Sequence, residues 1–238
     1  VAETKAEAMT QDGQDARIAE LEAENRRLRR FLDEKGLPAE QRHQVRNTLA
    51  MLRAIIRRSA ETSESVETYA AHLDGRLDAI ARVLGALLRS VPEGVALHAL
   101  IADELLAHLA REGDQVAIAG PNLRLRPGAA EIIALAIHEL TVNAVEHGAL
   151  MVPHGRIAIR WTLVPGEPRG GLTLVWTETG LENLPAQPPR QGFGTEVLVR
   201  SLRYELKAQT SLAYEPDGLR CTITLPLPPQ ITLMEEDE

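Results

Sequence analysis

Aromatic residues are scarce: Phe, Trp and Tyr make up 3% of the chain, so its core must be built from Leu, Ile, Val and Ala. Cysteine is nearly absent. Cys221 stands alone, which excludes an internal disulfide framework and a Cys-rich zinc site and fits a reducing, cytoplasmic setting. No stretch approaches the roughly 20 apolar residues that span a bilayer, and the opening VAETKAEAMTQDGQ lacks the apolar core of a signal peptide. No membrane contact is therefore expected within the chain, although a first residue of Val1 leaves room for a preceding sensor or membrane segment. Excess positive charge is missing as well. A formal net charge of −8 argues against a nucleic-acid coat, because binding phosphate needs a positive surface. The basic run ENRRLRR is too short to reverse that balance, so no nucleic-acid partner is expected.

What is present reads as soluble and globular, with 44% hydrophobic and 25% charged residues over 238 positions. Residues 1–14 are polar and read as disordered. Over 16–35, Ile18, Leu21, Asn25, Leu28 and Leu32 fall at a and d positions of a heptad, which fits either a short coiled coil or an exposed charged helix. Gly36 and Pro38 interrupt it. A helix is expected over 39–61, striped by Val45, Leu49, Leu52 and Ile56. Another is expected over 65–89, striped by Val66, Leu73, Leu77, Ile80, Leu84 and Leu87. Two amphipathic helices joined at Thr62 and Ser63 form an antiparallel hairpin, and their wide stripes predict a homodimeric four-helix bundle.

Beyond Pro92 the pattern changes. Helices are expected over 97–111, 129–147 and 195–206, and strands over 115–119, 123–126, 156–163, 172–177, 211–214 and 221–225. Helices interspersed with antiparallel hairpins predict an α+β fold with helices on one face of a sheet. The domains expected are a tail and signalling helix (1–37), a helical hairpin (38–91), an α/β sandwich (92–228) and an acidic tail (229–238).

Three segments could carry chemistry. In HELTVNAVEHGAL, Glu139 and Asn143 are four apart and share a helical face, either as a plain polar surface or as oxygen ligands for Mg²⁺ and its waters. In LVWTETG, the Glu178 carboxylate can accept a hydrogen bond from an exocyclic amine, and Gly180 lets backbone approach a flat ring. In QGFGTEVL, Gly192 and Gly194 precede a helix that includes Thr195 and expose backbone N–H groups to phosphate.

The order of these segments resembles the GHKL family of ATP-binding folds, and more closely the HWE subgroup of sensor histidine kinases. That subgroup is marked by a histidine in its N box and a later W-x-E motif, here His138 and Trp176 with Glu178. GFGTEVLVRSL resembles the glycine box, DGLRCTITLPL the closing strand and RHQVRNTLAMLRAI the H box, so the likeness covers about residues 38–226. It implies a dimerisation hairpin followed by a GHKL-type ATP-binding domain. It implies that His43 accepts the γ-phosphate of ATP, with Asn47 positioning a water for dephosphorylation and Glu139 orienting a water or acting as base. Asn143 would hold Mg²⁺, Glu178 would read the adenine amine, and Gly180, Gly192, Gly194 and Thr195 would line the nucleotide. Phosphate would then pass to an aspartate on a response-regulator receiver domain. His72, His98 and His154 lie in no motif and read as structural or solvent-facing. The chain departs from the family at Glu146, where lysine is common, at Leu181 and Glu182 after W-x-E-x-G, and at Ala208, where glycine is frequent. These departures keep a second reading open, in which the chain is a weak or inactive phosphotransfer or docking module.

Overall fold

The computed structural model describes residues 19, 22–24, 26, 27, 39–89, 94–110, 112, 113, 115–165, 170–181, 194, 197–226 and 231–233. The segments 1–14 and 182–190 lie outside that set. So do Gly36, Pro38, Gly192, Thr195 and the last five residues. Of the helix expected over 16–35, the described positions are helical. The chain divides into two compact units, residues 1–78 and 79–238.

The first unit holds α1 (Ala39–Thr62) and the opening of α2 (Val66–Arg89), a continuous helix that runs on into the second unit. Neither glycine nor proline occurs in α1, and Leu49, Ile55 and Ile56 are buried along it. Hydroxyls shape the turn between the helices. Thr62 Oγ1 donates to the Arg58 carbonyl at 2.9 Å, and Ser63 Oγ to that of Ser59 at 2.7 Å, which also accepts the Ser63 N–H at 3.1 Å. Ser65 Oγ then accepts the Thr68 N–H at 3.1 Å, an N-cap for α2. Across the hairpin, Arg76 Nη1 donates to Ser59 Oγ at 2.8 Å, both groups being buried.

The second unit is built on a five-stranded mixed sheet in the order β2-β4-β5-β7-β6. Its strands are β2 (Val116–Ala119), β4 (Arg156–Val164), β5 (Gly171–Thr179), β6 (Gln209–Glu215) and β7 (Gly218–Pro226). Only the β2–β4 pair is parallel. Side chains alternate across the sheet. Ile159, Trp176 and Cys221 sit opposite one another on β4, β5 and β7 and are all buried on one face. A second, three-stranded sheet joins β1 (Val95–Ala96), β3 (Leu123–Leu125) and β8 (Ile231–Leu233). Strands of two or three residues carry no readable period, so β1 and β8 escape the sequence.

The helix α4 (Pro127–Glu146) is the centre of this unit, contacting α3 (Leu97–Ala107) and α5 (Leu202–Leu206). Pro127 starts it, at a position where a missing N–H costs nothing. Every residue from Ala129 to Thr141 is buried. Among the described residues it is also the one helix long and apolar enough to cross a membrane by length and composition. A run-length criterion overlooks it because polar residues interrupt the apolar ones. Of its most apolar window, 78% is buried inside the fold, as befits a core helix.

Two boundaries differ from expectation. The helix expected to reach residue 111 stops at Ala107, because Leu109 adopts a left-handed φ of 62° that no α-helix continues through. The helix expected over 195–206 is, in its described part, a π-turn (Val197–Ser201) leading into α5. Its end is capped by Lys207 at φ 56°, with the Ala208 N–H on the Leu202 carbonyl at 3.1 Å. The left-handed residue is thus Lys207, one before the position where the family's glycine was expected.

Candidate functional site

α4 supplies the first part of the site. Asn143 is exposed, but Glu139 is only 5% exposed, so the two do not share an open face as expected. Gly194 lies close against both side chains. A Cβ on that glycine would lie 3.1 Å from Glu139 Oε2, 3.3 Å from its Cβ and 3.4 Å from Asn143 Nδ2. The structure thereby brings Glu139, Asn143 and Gly194 together from segments fifty residues apart in sequence. The π-turn that follows Gly194 is a rare conformation, frequent at functional sites. Glu146, where lysine was expected, is exposed, with His147 Nε2 at 3.8 Å.

β5 supplies the second part. Glu178 is 2% exposed and both its oxygens accept from the protein. Trp176 Nε1 donates to Oε1 at 3.0 Å, and the Ala149 N–H donates to Oε2 at 2.8 Å. Burial pushes the carboxyl pKa up, and these two hydrogen bonds oppose that without cancelling it. An adenine amine would therefore have to share an oxygen that already serves a protein donor. Gly180, at φ 81°, adopts a conformation that side chains rarely take, and its N–H donates to Asp217 Oδ1 at 3.1 Å.

Sequence reasoning missed Gly148 and Asp217. A Cβ on Gly148 would stand 2.2 Å from Glu178 Oε2, so the glycine ending HELTVNAVEHG lets the N box pack on W-x-E. That glycine was legible as part of the motif, whereas Asp217 carries no local signal. Both subgroup markers are buried and paired with carboxylates: Trp176 donates to Glu178, and His138 Nδ1 pairs with Glu104 Oε1 at 2.8 Å.

His43 and Asn47 lie in the other unit, one turn apart on α1, and Asn47 is exposed. Among the remaining histidines, His98 Nε2 lies 3.3 Å from Glu112 and edge-on to Trp161, while His154 is exposed.

Residues 40–122 match the family model described as HWE histidine kinase. Blue-light-activated histidine kinase 1 of Erythrobacter litoralis (strain HTCC2594) is 31% identical over 214 residues, spanning 88% of this chain and 57% of the relative. The blue-light-activated histidine kinase of Rhizobium johnstonii is 30% identical over 210 residues, spanning 88% of this chain and 56% of the relative. The chain thus covers little more than half the length of these relatives. Among solved structures, the histidine kinase domain of the Erythrobacter litoralis EL346 blue-light activated histidine kinase aligns with a TM-score of 0.56 at 16% identity. It covers 89% of this chain and 94% of that one. The longer EL346 structure gives 0.55 at 22% identity, covering 79% and 62%. At such identities these two alignments speak for the fold alone. The family match and the relatives together make this chain a relative of the HWE histidine kinases.

Proposed function

We propose that the chain is the core of a two-component sensor histidine kinase. It transfers the γ-phosphoryl group of ATP to His43 and then to an aspartate of a response regulator. The observation that supports this most is the approach of Gly194 to Glu139 and Asn143, which sets backbone beside an exposed amide and a carboxylate. A phosphate chain needs a closely approaching backbone, and Mg²⁺ needs an oxygen ligand that leaves most of its water shell in place. Asn143 and Gly194 fit both demands. Mg²⁺ would neutralise charge on the phosphates, which is most of what phosphoryl transfer asks of its surroundings.

In this reading the residues act as follows. An imidazole nitrogen of His43 attacks the γ-phosphorus, the bond to the β,γ-bridging oxygen breaks, and ADP leaves. Glu139 orients the reacting groups or takes the displaced proton. Glu178 meets the adenine amine through a second lone pair on one of its oxygens, and Gly180, Gly192, Gly194 and Thr195 line the nucleotide. The phosphoramidate then passes its phosphoryl group to a carboxylate, regenerating neutral His43. Asn47, one turn from His43, positions a water that hydrolyses the regulator's aspartyl phosphate, releasing inorganic phosphate in a separate phosphatase reaction. Residues 38–91 serve as the dimerisation hairpin and 92–228 as the catalytic domain, working in a homodimer in the cytoplasm.

The test is incubation with γ-labelled ATP and Mg²⁺, beside His43→Ala and Asn143→Ala. The kinase reading expects a label that is acid-labile and base-stable and that both variants lose. No label together with no nucleotide binding would favour the phosphotransfer or docking module instead.

A further inference from the structure

The N-box histidine has no part in the chemistry above, yet it is locked to a residue that lies in no motif. His138 Nδ1 is 2.8 Å from Glu104 Oε1, and the two side chains are 4% and 3% exposed. The second oxygen of Glu104 takes Arg82 Nη2 at 2.5 Å, and His108 Nε2 approaches Oε1 at 3.5 Å. All four residues belong to the second unit.

α4 has a need that this contact meets. From Ala129 to Thr141 it is buried without a break, and most of those residues are Ala, Ile or Leu. A helix covered on every side has no polar face to set its rotation. Aliphatic packing is non-directional and tolerates small shifts, whereas a satisfied buried polar contact selects one arrangement. His138 immediately precedes Glu139 and lies five residues before Asn143, so any rotation at His138 carries both of them.

We propose that Glu104 is a positioning residue of the kinase site, fixing His138 and through it the rotation of the turn that presents Glu139 and Asn143. This rests on the kinase reading of that turn. The ligand atoms of Glu104, His108 and His138 all lie within 4.8 Å of one another, a spacing that a metal ion could bridge. The Arg82 guanidinium weighs against that use: it already balances the carboxylate, and a divalent ion would add uncompensated positive charge in a buried place.

The experiment compares the native chain with Glu104→Gln, His138→Leu and His138→Asn. Affinity for a fluorescent ATP analogue with Mg²⁺ and the rate of phosphohistidine formation at saturating ATP are measured well below each melting temperature. Glu104→Gln and His138→Leu should slow the reaction at least about tenfold and weaken analogue affinity severalfold, because Asn143 moves with the turn. His138→Asn carries an amide nitrogen near the Nδ1 position and should recover most of the rate. Native rates in Glu104→Gln and His138→Leu would overturn the proposal, as would a rate loss that Asn does not rescue. Uptake of one equivalent of zinc or cobalt that His108→Ala abolishes would overturn it too, by making the cluster a metal site. A native chain that neither binds the analogue nor labels would instead bring down the kinase reading, and this role with it. Should Glu104→Gln not fold, the two His138 variants decide.

Discussion

Gly194 faces Glu139 so closely that a single methyl group would stand 3.1 Å from the carboxylate Oε2. That is tighter than ordinary van der Waals contact, and Asn143 Nδ2 closes the other side at 3.4 Å. Gly194→Ala should therefore push both polar groups aside while leaving the hydrophobic core untouched. Affinity for a fluorescent ATP analogue with Mg²⁺ is expected to fall about tenfold, roughly 1.4 kcal/mol. The melting temperature should move by no more than about 2 °C. Unchanged affinity would mean that the glycine box does not meet the nucleotide here.

Glu178 is an acceptor between two donors, the Trp176 indole and the Ala149 N–H. Glutamine offers only one acceptor, so Glu178→Gln must turn an amide NH₂ against one N–H. The expected cost is about 1–3 kcal/mol, the usual penalty for an unsatisfied buried polar group. The pH dependence follows from burial, which raises the folded-state pKa above its unfolded value. The native chain then binds more protons than the unfolded chain between those two values, so its stability falls as pH rises through that window. The variant does not titrate there, so its deficit should narrow with rising pH. Urea denaturation followed by fluorescence of the buried Trp161 and Trp176 checks both statements.

Glu104 should behave in the opposite sense. Burial alone would raise its pKa, but hydrogen bonds from His108, His138 and Arg82 hold it down to about 2 from an ordinary 4.5. Its stabilising contribution is complete above pH 4.5 and is lost as pH falls toward about 2, on the order of 3 kcal/mol in all. The gap in unfolding free energy between the native chain and Glu104→Gln should shrink across that acid range. A gap that is independent of pH would show that the carboxylate is not held ionised by these partners.

The contrast between these two carboxylates shows what the sequence could and could not disclose. Glu178 sits in W-x-E, and its importance is legible, as is most of the sheet, because alternation of buried residues such as Leu172, Leu174 and Trp176 is a local pattern. Glu104 sits in an ordinary amphipathic run, and only folding brings it to His138, thirty-four residues away. The same holds for Gly194 and Glu139, whose closeness is tertiary, and for Asp217 beneath Gly180. The exposure expected for Glu139 assumed a helix with one wet side. Over Ala129–Thr141, α4 is instead covered on all sides, and helical spacing alone cannot reveal what will cover a face.

Cys221 offers a probe of the whole sheet that does not depend on catalysis. It is fully buried on β7 beside Trp176, and burial pushes its thiol up to about 12. At pH 8 the thiolate fraction is then about one in ten thousand, and the thiolate is the reactive form. Ellman's reagent should leave the native chain unmodified over times that label the urea-unfolded chain completely, with protection of at least about a thousandfold. Labelling requires the sheet to open, so its rate reports the stability of this unit. A nucleotide that binds only the native state must slow labelling further, about a hundredfold at one hundred times its Kd. Prompt labelling of the native chain would mean that β7 is not in the core. Strong protection that Mg²⁺ and an ATP analogue leave unchanged would mean that the fold is sound but does not bind nucleotide, and that Asn143, Glu178 and Gly194 need another explanation.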